Sequence, residues 1–283
     1  MDIIKQFHEA YPIHLHSHAI IDRIIYPDLP EIWNANPIIT DITMPQAHMY
    51  PYLIELGNIN SEQRILLNNI IFESERGSGI ILFNSKFDQD TLIYILANYL
   101  IYTSPAGDNY LLRYYDYNVF MQLVRIISPL NLRNKLNALG AEYVTFYSQY
   151  GHKTYIPNLY NEKQEPIYAT TFSRIADIGI INSAIKKINK KMDINDFFYV
   201  SNILEEKISI ARNKYFLTDK NDIITFISKC ILIHKLYYIS PEVNEVLSKT
   251  YKYPGCYHDE ISLFSAERWR DILNFCRTNL DNK

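Results

Sequence analysis

The stretch from Asn109 to Phe146 limits the possible folds more than any other part of the chain. It reads N-Y-L-L-R-Y-Y-D-Y-N-V-F-M-Q-L-V-R-I-I-S-P-L and, after a polar interval, G-A-E-Y-V-T-F. A strand ending in Arg113-Tyr114-Tyr115-Asp116 is followed by a helix from about Tyr117, which Asp116 can cap. Ser128-Pro129 supplies the cap and first-turn proline of a second helix. Gly140 closes that helix and a strand follows. A chain that passes from strand to helix to helix to strand within forty residues belongs to a layered fold with both element types.

The N-terminal half continues the alternation. Residues 13–21 have a period of two and predict a strand; Asp28 predicts the cap of a short helix over 29–36. Y-P-Y-L-I-E-L (50–56) is a short extended segment with Pro51 at its start. Ser61 predicts a helix through Glu75, with Ile65, Leu66, Asn69, Ile70 and Phe72 over its apolar face and Gly77 at its C-terminal cap. Residues 79–83 predict a buried strand, and Asp88 caps a helix to about Tyr99. Residues 101–103 and 110–115 flank S-P-A-G-D, a hairpin turn. Residues 151–171, polar at first and with two prolines, predict a linker or long loop.

Everything beyond is helical: 172–190, 194–212 after Asp193, 219–237, a helix from Ser240-Pro241, and one from Ser262 or Ser265 to about Leu280. The expected class is α+β. A lobe over 1–150, with a mixed sheet flanked by helices, precedes an all-helical lobe over 172–283.

Composition excludes several functions. The formal charge of −3 gives no electrostatic footprint for nucleic acid. No run of about 18 apolar residues marks a membrane span, and Met1 to Lys5 has no signal-peptide core, so a cytoplasmic protein is expected. Glycine is scarce, with 8 in 283 residues, which disfavours phosphate-cradling loops and nucleophile elbows. Tyrosine is abundant at 24, and its apolar face with one polar handle suits half-buried sites and interfaces. Cys230, Cys256 and Cys276 form neither a disulfide framework nor a metal clip, and Cys230 reads as a core residue.

Two clusters could carry chemistry. His14, His16 and His18 in H-L-H-S-H would share one face of a strand, as metal-binding His-x-His pairs do, with Asp22 in phase. His48, His152, His234 and His258 are scattered through the rest of the chain. Cys256 and His258 follow Pro254-Gly255, a pairing that needs a third group to orient it. The basic run at Lys186-Lys187 and Lys190-Lys191 falls at a helix end, where cations complement the dipole. Arg113 and Asp116 could form an Arg–carboxylate contact that locks the strand–helix junction.

The order of these segments resembles the DUF4123 family, adaptor chaperones that load toxic effectors onto the spike of the bacterial type VI secretion system. Ala19-Ile20-Ile21-Asp22 is similar to the family's early strand ending in Leu-Leu-Asp. Y-P-Y-L-I-E-L is similar to its Pro-Tyr-Leu-Val-x-Leu segment. G-I-I-L-F-N-S (79–85), a helix with a hairpin, and Arg113-Tyr114-Tyr115-Asp116 then follow in order. Tyr117 stands where the family usually has proline, and Gly140-Ala141-Glu142 where it often has Gly-Pro-Val. Residues 212–249, including Y-F-L-T-D (215–219), resemble the helical tails of these adaptors. H-L-H-S-H replaces a more ordinary apolar strand.

The resemblance implies binding without catalysis. The protein would hold a cognate toxic effector in the cytoplasm and deliver it to a VgrG spike protein, with no cofactor, nucleic acid or membrane. Asp22, Arg113, Tyr115 and Asp116 would be motif positions with structural or partner-facing roles. A metal-dependent hydrolase built on His14, His16 and His18 is the alternative from another class; an immunity protein fits the length and charge less well.

Overall fold

The computed structural model describes residues 3–27, 33, 35–73, 79–104, 106–157, 169–250 and 252–280. By its internal packing the chain divides into two units, Met1–Ile175 and Ala176–Lys283. The fold is α+β, and the second unit is helical.

The first unit is built on a seven-stranded sheet. Its strands are β1 (Phe7–Glu9), β2 (His18–Ile21), β3 (Asn36–Pro37), β4 (Tyr52–Glu55), β5 (Ile80–Phe83), β8 (Val144–Ser148) and β9 (Gly151–Tyr155), in the order β1-β9-β8-β5-β2-β4-β3. A separate hairpin pairs β6 (Ile101–Thr103) with β7 (Asn109–Leu111). Every pairing is antiparallel, where a mixed sheet was expected. The expectation took strand–helix alternation as a sign of parallel crossovers. Here β4 and β5, joined through a helix, do run the same way, but β2 lies between them and pairs antiparallel with both, and β5 and β8 pair antiparallel directly.

Strands β2, β5 and β8 are buried along their whole length, so the sheet centre is covered on both faces. Alternation sorts their side chains. Ala19, Ile21, Ile80, Leu82 and Tyr147 face a core that includes Leu67 and Ile71 of α1 (Ser61–Glu73). Ile20, Ile81, Phe83 and Val144 face α2 (Gln89–Leu100), α3 (Tyr117–Ile126) and α4 (Pro129–Ala138). The caps read from the sequence form as expected. Asp88 accepts from the Thr91 amide, Asp116 from Asn118 and Ser128 from Asn131. Gly140, at φ +64°, follows the last turn of α4, and the amides of Gly140 and Ala141 bond back into that helix.

Four expectations change. The period-two reading of 13–21 fails at its start, because Pro12 and Ile13 carbonyls close a 3-10 turn over Ile13–Leu15 and the strand begins at His18. The face of α1 assigned to the core is largely the outer one: Ile65, Leu66, Asn69 and Phe72 are exposed, and Gln63, Leu67 and Ile71 are buried. The strand that was to end at Asp116 ends at Leu111. The linker begins with β9, which lies between β1 and β8 and completes the sheet. Of the helix expected over 29–36 only positions 33, 35 and 36 are described, and Asn36 begins β3 instead; Gly77 falls outside the described residues.

The second unit contains α6 (Ile178–Ile188), α7 (Ile194–Tyr215), α8 (Lys220–Leu232), α9 (Pro241–Thr250), α10 (Cys256–Ser262) and α11 (Ala266–Leu280). The single helix expected over 172–190 is two, α5 (Ala169–Ala176) and α6, broken at Asp177. The Asp177 carboxylate takes both arms of Arg212, at 2.8 and 2.6 Å, which ties the break to the end of α7. Asp193 and Asp219 cap α7 and α8. Cys230 is buried in α8. Phe226 of α8 stacks on Tyr238 and contacts Tyr237, Tyr257 and Tyr215. The Tyr237 hydroxyl donates to Phe226 O at 3.1 Å and is bonded to the Tyr257 hydroxyl. Among the described residues no helix is long and apolar enough to cross a membrane.

Candidate functional site

The three histidines of H-L-H-S-H do not converge. His14 is exposed on the 3-10 turn. His16 is buried; its Nδ1 meets Pro12 O at 3.0 Å and its Nε2 meets Thr145 Oγ1 at 2.8 Å. Thr145 sits on the α1 face of the sheet, in register with Leu82 and bonded to Thr154. His18, already in β2, stacks on its register partner Phe83, on the opposite face. Burial lowers both His16 and His18 from the ordinary imidazole value, which favours the neutral form of each. Among the described residues no three His, Cys, Asp or Glu side chains form a metal-sized group. The 3-10 turn is the physical reason, because it breaks the alternation that would have aligned the rings.

His18 Nδ1 and Ser17 Oγ are 2.7 Å apart, a distance at which a base can activate a hydroxyl. The hydroxyl is already committed to β5's far end, accepting from Ser85 N at 2.8 Å and lying 3.0 Å from Ser85 O. Ser85 Oγ in turn donates to Leu139 O at 2.6 Å. This chain of bonds stitches β2 to the loop after α4.

Asp22 directly follows β2, and its Oδ1 accepts the Ile24 amide of the following turn. Its Oδ2 takes Arg113 Nη2 at 2.7 Å across 91 positions of sequence. The expected contact between Arg113 and Asp116 is therefore replaced by a longer-range one: Asp116 is occupied as the α3 cap, and Arg113 turns to Asp22. Arg113 also lies 5.5 Å above the ring of buried Tyr115. Burial, the largest single influence, would lower Arg113, but Asp22, Tyr115 and Asp116 together offset it and hold the guanidinium above its ordinary value. Burial pushes Tyr115 up to about 12. Asp22, Arg113, Tyr115 and Asp116 thus form one junction between the end of β2 and the start of α3.

His14 instead joins residues that periodicity did not group with it. A cleft of about 480 Å³ lies between the N-terminal turn, α1 and the β8–β9 hairpin. His14, Arg64, Asn68 and His152 supply its polar lining, and Phe72 and Tyr147 supply aromatic walls. Phe72 stacks on His152 at 5.7 Å, and Tyr147 meets the same imidazole edge-on at 5.1 Å. Among the described residues the lining has no carboxylate, so the cleft suits anionic and flat groups, and its volume is that of a ligand-sized pocket. His152 was hidden in the expected linker and Phe72 in the expected core. The short alternation H-K-T-Y before Ile156 was the available sign of a strand.

In the second unit Cys256 opens α10. Burial pushes its thiol up, and Asp222 adds to the shift, opposite to what a nucleophile needs. Asp222 accepts the Gly255 and His258 amides, both at 2.7 Å, and His258 Nδ1 meets Thr225 Oγ1 at 2.8 Å. The Cys–His spacing thus reflects a helix start capped from α8. Lys186 and Lys187 lie in the last turn of α6, with Lys187 Nζ donating to Thr225 Oγ1.

Comparison with protein-family models, curated proteins and solved structures found no match to this chain.

Proposed function

We propose that this protein is a non-catalytic cytoplasmic adaptor chaperone that holds a cognate toxic effector and loads it onto a VgrG spike of the type VI secretion system. One observation carries the reading. The segments that resemble the DUF4123 family, A-I-I-D and R-Y-Y-D, are far apart in sequence, yet their Asp22, Arg113, Tyr115 and Asp116 meet at one junction. Residues with a common structural task are what a shared fold motif requires. The surface chemistry is compatible with gripping polypeptide. Ile65, Leu66 and Phe72 expose an apolar stripe along α1 beside a cleft of aromatic and cationic groups.

The test is affinity purification of the tagged chain from its native strain. Co-purification of a VgrG protein and a large toxin, both lost on removing the toxin's gene neighbourhood, supports the adaptor. Recovery of neither, with stoichiometric zinc or iron in the purified chain, overturns it.

A further inference from the structure

The basic run at the end of α6 meets a second lysine inside the helical unit. Lys187 is exposed as a residue, yet its Nζ donates to the buried Thr225 Oγ1 of α8 at 3.0 Å. The same oxygen meets His258 Nδ1 of α10 at 2.8 Å. Lys229 follows Thr225 by one turn of α8, so the two side chains leave one face about 5–6 Å apart. Its Nζ lies 4.3 Å from the centre of the Trp269 ring of α11. The two ammoniums are neighbours. Burial lowers both amines from the ordinary lysine value, and the charge of Lys187 lowers Lys229 further.

Like charges held side by side repel, and a nearby carboxylate is the usual remedy. Among the described residues no Asp or Glu forms an ion pair with Lys187 or Lys229. Asp222, three residues before Thr225 on the same face of α8, is spent on the Gly255 and His258 amides. Both lysines stand in the last turns of their helices, where the dipole favours a cation. Each head nevertheless reaches to a neutral side chain of another helix, a hydroxyl in one case and an indole in the other. Lys186, Lys190 and Lys191, all exposed, add to the positive field at this end of α6.

Two positioned ammoniums without a counter-charge are complemented by an anion that brings two charges. The arginine fork matches a flat carboxylate, whereas lysine binds phosphate as a point charge. We infer that the second unit binds the dianion of phosphate or of a small phosphomonoester between Lys187 and Lys229. The site is independent of the adaptor reading, since the Asp22–Arg113 junction and the His14–His152 cleft belong to the other unit.

The experiment is NMR titration of the full chain with inorganic phosphate, glycerol 3-phosphate and acetate at constant ionic strength. The chain has two tryptophans, so the indole signal of Trp269 reports on the site and that of Trp33 is an internal control. Phosphate or its ester should bind one to one and shift Trp269 while leaving Trp33 in place. Tighter binding of glycerol 3-phosphate assigns the site to an ester, and tighter binding of phosphate assigns it to the free ion. Acetate, with a single charge, should bind about tenfold more weakly than either. Lys187→Met and Lys229→Met keep their stems and should each weaken the preferred dianion about tenfold. Lys186→Met, at the exposed neighbouring position, should change binding less than about twofold. No saturable binding of either phosphate at millimolar concentration overturns the inference. So does acetate binding as tightly as phosphate, or a loss in Lys186→Met equal to that in Lys187→Met, which marks a diffuse field in place of a site.

Discussion

The two units of this chain solve the burial problem differently. The helical unit places an aromatic stack around Phe226 at its centre and starts its long helices with aspartate caps whose carboxylates accept local amides. The sheet unit buries His16, His18, Asp22, Thr145 and Thr154, and leaves Ile24, Ile25, Ile65, Leu66 and Phe72 outside. Local preference and tertiary position conflict in both units, since the helical one also buries Lys207, Asp222 and Thr225 and exposes Phe216 and Leu263; in the sheet unit the conflict falls at the central strands and along α1. Sites of function are where such conflict is expected, because stability there is traded for a surface or a pocket. The aromatic–cationic cleft belongs to the sheet unit.

The sharpest way to break the comparison is to truncate one aromatic ring in each unit. Phe226→Ala should cost about 3–5 kcal/mol, since the ring is fully buried among tyrosines. Phe72→Ala should leave stability within about 0.5 kcal/mol, since Phe72 is 64% exposed, while weakening partner capture. Urea unfolding of both variants checks the contrast; equal losses would remove it.

Next in size is Arg113→Met, which strands the Asp22 carboxylate. A fully buried broken pair costs about 3–5 kcal/mol, and the 35% exposure of the Arg113 side chain reduces this to about 2–3. Asp116→Asn, by contrast, keeps a competent cap and should cost far less, as chemical denaturation would show.

Acid should act on the sheet unit through its buried imidazoles. His16 and His18 are depressed below 6.5 in the fold by burial, so the unfolded chain binds protons that the fold refuses. Their contribution is complete above pH 6.5 and falls as pH drops, by up to about 1.4 kcal/mol per pH unit for each. His16→Asn should flatten the slope of urea midpoints between pH 6.5 and 5. An unchanged slope would show that His16 is not held neutral.

The smallest effects are the caps. Asp116→Ala in the sheet unit and Asp219→Ala in the helical unit should each cost about 1 kcal/mol, with Asp219 the costlier because it accepts two amides. Thermal melts resolve the pair.

Local signals were readable in the sequence wherever the deciding contact is itself local. Asp88, Asp116, Ser128, Asp193 and Asp219 cap helices a few residues on, and the 101–111 hairpin turns on its own residues. Position across the fold was not readable. Arg113 finds Asp22 91 positions away, and α10 is capped by Asp222 from another helix. With apolar residues around much of α1, periodicity could not choose its inner face. The Pro12 carbonyl, which bonds both the Leu15 amide and the His16 ring, turned an apparent His-x-His-x-His strand into a bend. The cleft joins residues from three separated segments, which no spacing rule groups.

The most direct test of the account is reconstitution of the purified chain with its cognate toxin and VgrG, followed by light scattering on a sizing column. A stable ternary complex, weakened by Phe72→Ala in an otherwise folded chain, is the predicted result. A chain that remains free of both partners while turning over a substrate through bound metal would contradict it.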